Sequence, residues 1–175
     1  MLKTMPPDWE PMGRSGANIG FTSGPKTALN HHQAGARRIQ EGDVILTYSG
    51  PQVGGYQCEL ERMLIMGKPT EKHKKYFDLE VKAQDAAFDA IKPGAKCCEI
   101  ELAVNKFLEK NDLYSLTRTH IGHGLGMEGH EAPFFDIGDE TILKPGMVMS
   151  VEPCLFIPGY AGFRHSDTIV VTEDG

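Results

Sequence analysis

Three segments of the sequence contain histidines or carboxylates in a backbone that glycines make flexible. The middle segment, residues 120–133, reads HIGHGLGMEGHEAP and has glycines at four positions. Glycine permits backbone conformations that other residues avoid, so this segment can present His123 and His130 to a ligand. Two histidines in such a setting predict a functional site, whereas the single His73, on a charged helix face, is predicted to be solvated and without a role.

The other two segments supply carboxylates. In the first, His31 and His32 precede a hairpin that carries Glu59 and Glu61, and strand alternation places both glutamates on one face. If that face is buried, one carboxylate has a raised pKa and can carry a proton; if it faces water, both are ordinary charges. In the last segment Glu152 ends an apolar run, where a carboxylate needs a partner, and this favours the buried alternative.

A β-hairpin must position the first pair of carboxylates. Residues 44–48 form an apolar run typical of a buried strand, and residues 56–66 resume an extended pattern. Turn signals lie between them at residues 49–51 and at Gly54-Gly55. Upstream, the chain is predicted to be irregular around one short strand at residues 19–22.

Two consecutive helices follow the hairpin. Thr70 can cap the first helix, Pro93-Gly94 ends it, and its apolar positions are interrupted only by Gln84. The apolar stripes, both predicted to face the core, are Phe77, Val81, Phe88 and Ile91, then Ile100, Ala103, Val104, Phe107 and Leu108. Strands are predicted again at residues 147–152 and 167–172. This order of elements indicates an α+β fold in which helices cover one face of a curved antiparallel sheet.

Composition restricts the class of protein. A chain of 175 residues with 40% hydrophobic content suits one domain. A net charge of -6 predicts no nucleic-acid partner, and the lack of a long apolar run or a signal peptide predicts no membrane partner. Cys97 and Cys98 are adjacent while Cys58 and Cys154 are isolated, a usage that suits the reducing cytosol and predicts a cytoplasmic protein.

Taken in chain order, these motifs resemble those of the pita-bread-fold hydrolases, which include prolidases, Xaa-Pro aminopeptidases and creatinase. The family motifs are Asp-x-Gly, Gly-Tyr-x-x-Asp-x-x-Arg, Gly-His-Gly-x-Gly, Glu-Pro and Arg-x-Glu-Asp. The corresponding segments here are Tyr48 to Gly50, Gly55 to Arg62, Gly122 to Gly126, Glu152-Pro153 and Arg164 to Asp167. The match runs from about Ser23 to Gly175, with residues 1–22 as an irregular N-terminal remnant of the same catalytic domain. The resemblance implies a partial catalytic domain that is incomplete at its N-terminus.

Three of the five positions that hold two divalent metals in the family aminopeptidases have changed here. The family uses two Asp, one His and two Glu, and the matching residues are Tyr48, Glu59, His123, Glu152 and Ser166. A phenol and a hydroxyl in place of two carboxylates leave too little negative charge for two hard cations, so no metal cofactor is expected. The alternative is one divalent ion, Mn, Zn or Co, held by Glu59, His123 and Glu152.

Creatinase is similar in having this fold without metals, and its Leu-Glu-Arg motif appears here as Leu60-Glu61-Arg62. Its catalytic histidine precedes that glutamate by thirty residues, which is the position of His31. The resemblance implies catalytic roles for His31, Glu61, His123 and Glu152 and substrate-binding roles for His130, Tyr48 and Arg164. Residues 130–133, HEAP, have the aminopeptidase-like form and lack the arginine with which creatinase holds its substrate carboxylate. Another amide or amidine is therefore expected as substrate, including a cyclic one as in ectoine hydrolases.

The leading hypothesis is a creatinase-like, metal-independent hydrolase that cleaves a carbon–nitrogen bond of a small polar substrate. In it His31 is the general acid/base, Glu61 and Glu152 orient the substrate nitrogen, and His123 and His130 hold a carbonyl or carboxylate. The runner-up is an Xaa-Pro aminopeptidase or prolidase with an altered metal site, acting on short peptides. A third alternative is a pseudoenzyme, a binding module that has lost turnover. Analogy with the family also implies a homodimer for the full-length protein.

Overall fold

The computed structural model describes residues 16–33, 35–117 and 120–175. Its elements are β1 (Gly16–Ser23), β2 (Val44–Val53), β3 (Tyr56–Gln57), β4 (Leu60–Ile65), α1 (Glu71–Ala90), α2 (Cys97–Lys110), β5 (Gly122–Gly124), β6 (Glu131–Phe134), β7 (Val148–Val151), β8 (Cys154–Ile157), β9 (Ala161–Arg164) and β10 (Ser166–Val170). Short 3-10 helices span Gly24–Ala28 and Tyr114–Leu116. Of the predicted N-terminal remnant, residues 1–15 lie outside the described residues, and residues 16–22 belong to β1, which is longer than the predicted strand.

Within the described residues, an eight-stranded antiparallel sheet runs in the order β1-β2-β4-β10-β7-β5-β6, with β3 paired to β2. Strands β8 and β9 form a separate two-stranded sheet, and the α+β class is confirmed. The register aligns Tyr48 with Glu61 and Glu61 with Ser166, and it aligns His123 with Ser150. Because directly opposed residues of neighbouring strands point to the same face, the register alone brings several candidate site residues side by side.

The turn predicted at residues 49–51 is wrong, because β2 continues without a break to Val53. Pro51 has no N–H to donate, but its carbonyl accepts a hydrogen bond from the Cys58 N–H at 3.0 Å. The chain turns instead at Gly54 and Gly55, whose φ angles of 60° and 92° lie in the left-handed region that favours glycine. The hairpin is therefore longer than the local turn signals indicate.

The predicted apolar stripe of α1 is only partly confirmed: Ile91, at the C-cap, is buried in the core, but the helix buries mainly other residues. Thr70 caps it as predicted, since its hydroxyl accepts a hydrogen bond from the His73 N–H at 3.2 Å. However, His73 is buried and its ring stacks on Tyr160 at 5.7 Å between centroids, so the predicted solvated histidine is wrong. Phe77 and Phe88 of the predicted stripe are 39% and 36% exposed. The buried residues of this helix are His73, Glu80, Ala83, Gln84 and Ala87.

The core prediction for α2 is confirmed, because Ile100, Val104 and Leu108 are all buried. They belong to one core cluster together with Phe135, Met149, Val151, Leu155 and Phe163. Burying each such side chain stabilises the fold by roughly 1.5–3 kcal/mol. The cluster therefore fixes β7, β8 and β9 against the helices. Of these strands, β7 leads into Glu152 and β9 ends in Arg164. Among the described residues, neither helix has an apolar stretch long enough to cross a bilayer.

Candidate active site

One cleft of about 630 Å³ collects the predicted site residues. Its lining includes His31, Tyr48, Glu59, Glu61, His130, Glu152 and Arg164. His123 is fully buried next to this lining, with its ring stacked on that of His130 at 3.9 Å between centroids. Apolar walls come from Ile19, Phe21, Leu46 and Phe156. Tertiary structure thus brings together every residue for which the sequence predicted a catalytic or substrate-binding role.

Three buried carboxylates, those of Glu59, Glu61 and Glu152, face one another in this cleft. Burial, and then the nearby charge of Glu152, raise the pKa of Glu59 above its ordinary value. Burial raises the pKa of Glu61 to about 8, although the Arg164 guanidinium acts in the opposite direction. Of the two alternatives that strand alternation left open, the structure therefore selects the buried face.

Arg164 is the cation that partners these carboxylates. Its Nη2 donates a hydrogen bond to Glu61 Oε1, and its Nη1 lies 3.9 Å from Glu152 Oε2. Burial acts to lower the pKa of Arg164, but the charges of Glu61 and Glu152 outweigh burial and raise it. The guanidinium therefore places a permanent positive charge between two carboxylates. Within the described residues, Glu61 Oε2 and Arg164 Nε are buried without hydrogen-bond partners.

His123 has a defined tautomer. Its Nδ1 must donate to the Gly124 carbonyl oxygen at 3.0 Å, because a carbonyl can only accept. Its Nε2 then points toward the carboxylates, 3.3 Å from Glu152 Oε1 and 3.8 Å from Glu59 Oε2. Burial acts to lower the pKa of His123, but contact with Glu152 and with the Gly124 carbonyl raises it overall. The pKa of His130 is lowered by burial and by the adjacent His123 ring.

Three hydroxyl groups hold Glu59 in place, and two of them, those of Ser150 and Thr168, were not identified from the sequence. Ser166 and Ser150 donate to Glu59 Oε1 at 3.2 and 3.4 Å, and their two hydroxyls are 3.1 Å apart. Thr168 binds the Glu59 main chain twice, accepting from its N–H and donating to its carbonyl, each at 2.8 Å. Ser150 precedes Glu152 by two residues, and Thr168 follows Ser166 by two. Residues two apart in a strand face the same side, so the positions of Glu152 and Ser166 could have identified Ser150 and Thr168.

His31 lies at the exposed side of the cleft, with its ring centroid 6.1 Å from that of His130. Its φ angle is +50°, in the left-handed region that non-glycine residues seldom adopt. Strained backbone of this kind is concentrated at functional sites, where the surrounding structure holds it. The strain at His31 is consistent with the role that the sequence predicted for it.

The residues of the cleft do not fit two metal ions. Burial, and then the charge of Glu59, raise the pKa of Tyr48, so its phenol stays neutral, and the Ser166 hydroxyl is donated to Glu59. Arg164 supplies a positive charge to two further carboxylates of the cleft, those of Glu61 and Glu152. One ion fits better, because two groups have ligand atoms within 4.8 Å of one another. These groups are Glu59, His123 and His130, and Glu59, Glu61 and Glu152. The predicted set of Glu59, His123 and Glu152 shares two members with each group.

Comparison with known proteins agrees with the resemblance. Residues 13–173 match the family model of metallopeptidase family M24. An Xaa-Pro dipeptidase of Pyrococcus furiosus is 34% identical over 155 residues, covering 89% of this chain and 44% of the dipeptidase. A creatinase of Bacillus sp. (strain B-0618) is 34% identical over 166 residues, covering 90% of this chain and 40% of the creatinase. The solved prolidase of Pyrococcus furiosus has a TM-score of 0.86 and 33% identity, over 90% of this chain and 47% of that one.

This chain thus spans less than half the length of these relatives. Their structural likeness confirms the predicted pita-bread fold, a curved antiparallel sheet covered by helices. The family match extends over nearly the whole sequence and includes the segments that build the cleft. The chain therefore belongs to metallopeptidase family M24.

Proposed function

We propose that this chain carries the active site of a hydrolase that cleaves an amide, peptide or amidine C–N bond of a small polar substrate without a metal ion. The observation that carries the proposal is the loss of two carboxylates from the family metal site: the Tyr48 phenol, whose pKa is raised, and the Ser166 hydroxyl, which donates to Glu59, stand in their places. The relatives named Xaa-Pro dipeptidase and creatinase support C–N bond hydrolysis as the reaction class. A homodimer and a cytoplasmic location stay predictions from the sequence.

In the proposed mechanism, the cleft binds the nitrogen side of the substrate through carboxylates. The ionised Glu61 carboxylate can accept an N–H of the substrate at Oε2, which is buried without a partner in the described part of the chain, and Glu152 can accept a second. His123 has a raised pKa, and its protonated form carries a second N–H at Nε2, which can donate a hydrogen bond to a substrate oxygen. His130 and the neutral phenol of Tyr48 offer further contacts at the same cleft.

His31 acts in this proposal as the general acid/base. It accepts a proton from a water molecule as the water oxygen bonds to the substrate carbon, and it returns that proton to the nitrogen as the C–N bond breaks. The step consumes one water and leaves His31 in its starting state. Its exposed position lets it meet both water and substrate.

A second candidate function is that of a single-metal Xaa-Pro peptidase, which the convergence of Glu59, His123 and His130 favours. A divalent ion held there would supply Lewis acidity and an activated water. Under this alternative, His123 would bind the ion and could not donate to a substrate oxygen. The two candidates therefore differ in whether activity depends on a bound ion.

The deciding experiment uses the full-length protein and a panel of Xaa-Pro dipeptides, linear amidines and cyclic amidines. We expect turnover of at least one substrate, unchanged after EDTA treatment, with less than stoichiometric metal by elemental analysis. Activity that is lost with EDTA and restored by Mn²⁺ would overturn the metal-free proposal and support the single-metal peptidase. Substrate binding without any turnover would overturn both and identify a pseudoenzyme.

A further inference from the structure

Gln84 interrupts the apolar positions of α1, yet its side chain is only 2% exposed. Burying an amide without hydrogen-bond partners destabilises the fold by roughly 1–3 kcal/mol. The partners of Gln84 therefore indicate which part of the structure it stabilises. Its Nε2 lies near three acceptors: the Val151 carbonyl at 2.9 Å, the His165 carbonyl at 3.1 Å and Asp167 Oδ2 at 3.2 Å. Its Oε1 is 2.9 Å from His165 Nδ1 and accepts the ring N–H.

These contacts fall on residues next to the cleft. Val151 is the last residue of β7 and directly precedes Glu152. His165 lies between Arg164, which ends β9, and Ser166, which begins β10. The Gln84 side chain therefore hydrogen-bonds to main-chain groups adjacent to Glu152, Arg164 and Ser166, although Gln84 itself does not line the cleft.

Glu80 completes the attachment of His165 to α1. It lies one helical turn before Gln84, is fully buried, and its Oε1 accepts a hydrogen bond from the His165 N–H at 3.0 Å. His165 belongs to neither of the strands that it joins, and β9 and β10 lie in different sheets. Its main-chain N–H and carbonyl are bound by side chains of α1, as buried backbone groups require.

The network continues to Glu61. Asp167, held by Gln84 through Oδ2, accepts from Arg62 Nη2 through Oδ1 at 2.6 Å. The Nη1 of the same arginine donates to the carbonyl oxygens of Glu61 and Ser166 at 2.7 and 2.8 Å. The hydrogen bonds thus link α1 to β4, β7 and the junction of β9 with β10, the chain segments that present the Glu61, Glu152 and Arg164 side chains.

We propose that Gln84 and Glu80 are positioning residues, which hold the His165 junction and the end of β7 so that Arg164 and Glu152 meet Glu61 in the catalytic arrangement. This inference rests on the proposed function for its kinetic consequence. Small displacements of groups at a reacting centre are costly, because catalysis depends on their mutual orientation. The two residues act through the main chain and contact no substrate.

The test compares Gln84→Met with a matched control, Asn105→Met. Asn105 is also a buried amide on a helix, 5% exposed, but within the described residues its Nδ2 binds Glu101 at 3.1 Å and none of its hydrogen bonds reaches Val151, His165 or Asp167. For Gln84→Met we expect kcat to fall about 10- to 100-fold with KM changed less than about threefold. Asn105→Met should leave kcat within about twofold of the wild type even where it lowers the melting temperature as much. Equal kcat values for the two variants would overturn the inference.

A second pair of variants covers the case in which Gln84→Met fails to fold. Glu80→Gln keeps an oxygen that can accept from the His165 N–H, whereas Glu80→Met removes it. We expect Glu80→Gln to retain kcat and Glu80→Met to lose it as Gln84→Met does. Loss of kcat in both Glu80 variants, or in neither, would contradict a positioning role for this oxygen.

Amide hydrogen exchange tests the same inference without a substrate. In Gln84→Met and Glu80→Met, exchange should accelerate at residues 150–153 and 163–168, and Asn105→Met should leave both segments unchanged. A wild-type protein that hydrolyses nothing would defeat the proposed function, and exchange would then decide this inference alone. Uniform acceleration along the chain, or none, would overturn it.

Discussion

The Arg164 guanidinium donates a hydrogen bond to the Glu61 carboxylate, although the two residues are 103 positions apart in the chain. The pair joins the end of β9 to β4, and both side chains are almost completely buried. Removing one partner of such a pair leaves a charged group buried from water without its counter-charge.

Arg164→Leu should lower the free energy of unfolding by about 3–5 kcal/mol, since it leaves Glu61 buried without its cation. The loss should be larger at about pH 8.5 than at about pH 5.5, because without the guanidinium Glu61 must take up a proton. Urea denaturation at the two pH values measures both effects. In the double variant Arg164→Leu/Glu61→Leu, part of the lost stability should return. Additive losses in the double variant would show that the two side chains are not coupled.

His31→Ala should reduce kcat by about 10²- to 10⁴-fold, the range for loss of a general acid/base. Because His31 is exposed, the free energy of unfolding should change by no more than about 0.5 kcal/mol. Steady-state kinetics and urea denaturation provide the two measurements. His32→Ala, at the neighbouring histidine, is the matched control and should remain active. Full activity in His31→Ala would exclude His31 as the acid/base.

Stability should fall as pH rises through the range set by Glu101. Burial raises the pKa of Glu101 to about 8 from an ordinary value of 4.5, so the folded state keeps a proton that the unfolded state has released. Because the folded state then binds more protons between these values, the contribution is fully present below about pH 4.5 and is lost by about pH 8. Glu101→Gln cannot titrate and should reduce this slope. Urea midpoints measured across that range test it, and an unchanged slope would count against the shift.

Tyr48→Asp combined with Ser166→Glu restores carboxylates at two positions of the family metal site. The doubly substituted protein should be less stable than the wild type without metal, because Ser166 is fully buried and the new carboxylates repel Glu59. Mn²⁺ should then stabilise it, by about 2.7 kcal/mol at one hundred times the dissociation constant. Thermal melts with and without Mn²⁺ measure this effect.

The matched control for that experiment is Tyr48→Asn combined with Ser166→Gln, which has similar side-chain sizes but adds no charge. It should not respond to Mn²⁺, and the wild type should respond less than the carboxylate variant. If the wild type itself gains as much stability from Mn²⁺, its cleft already holds the ion and the metal-free proposal fails.

The sequence alone determined the features that depend on neighbouring residues. Thr70 caps α1 and Gly54-Gly55 turns the hairpin because a cap and a tight turn each need only a few adjacent residues. The apolar stripe of α2 was also predictable, because Ile100, Val104 and Leu108 recur at helical spacing and are buried, although Glu101 and Asn105 are buried beside them. The order of the motifs correctly indicated which residues meet in the cleft, although it could not establish their contacts.

Which polar groups are buried, and what binds them, depends on contacts between elements that are distant in the chain. His73 was predicted to be solvated, and Ser150 and Thr168 were not identified, because their partners come from other elements. The α1 face was mispredicted for the same reason: Glu80 and Gln84 are buried because the His165 junction needs hydrogen bonds. A buried polar side chain needs hydrogen-bond partners. The positions of these partners depend on the pairing of β4 with β10, two strands that are distant in sequence.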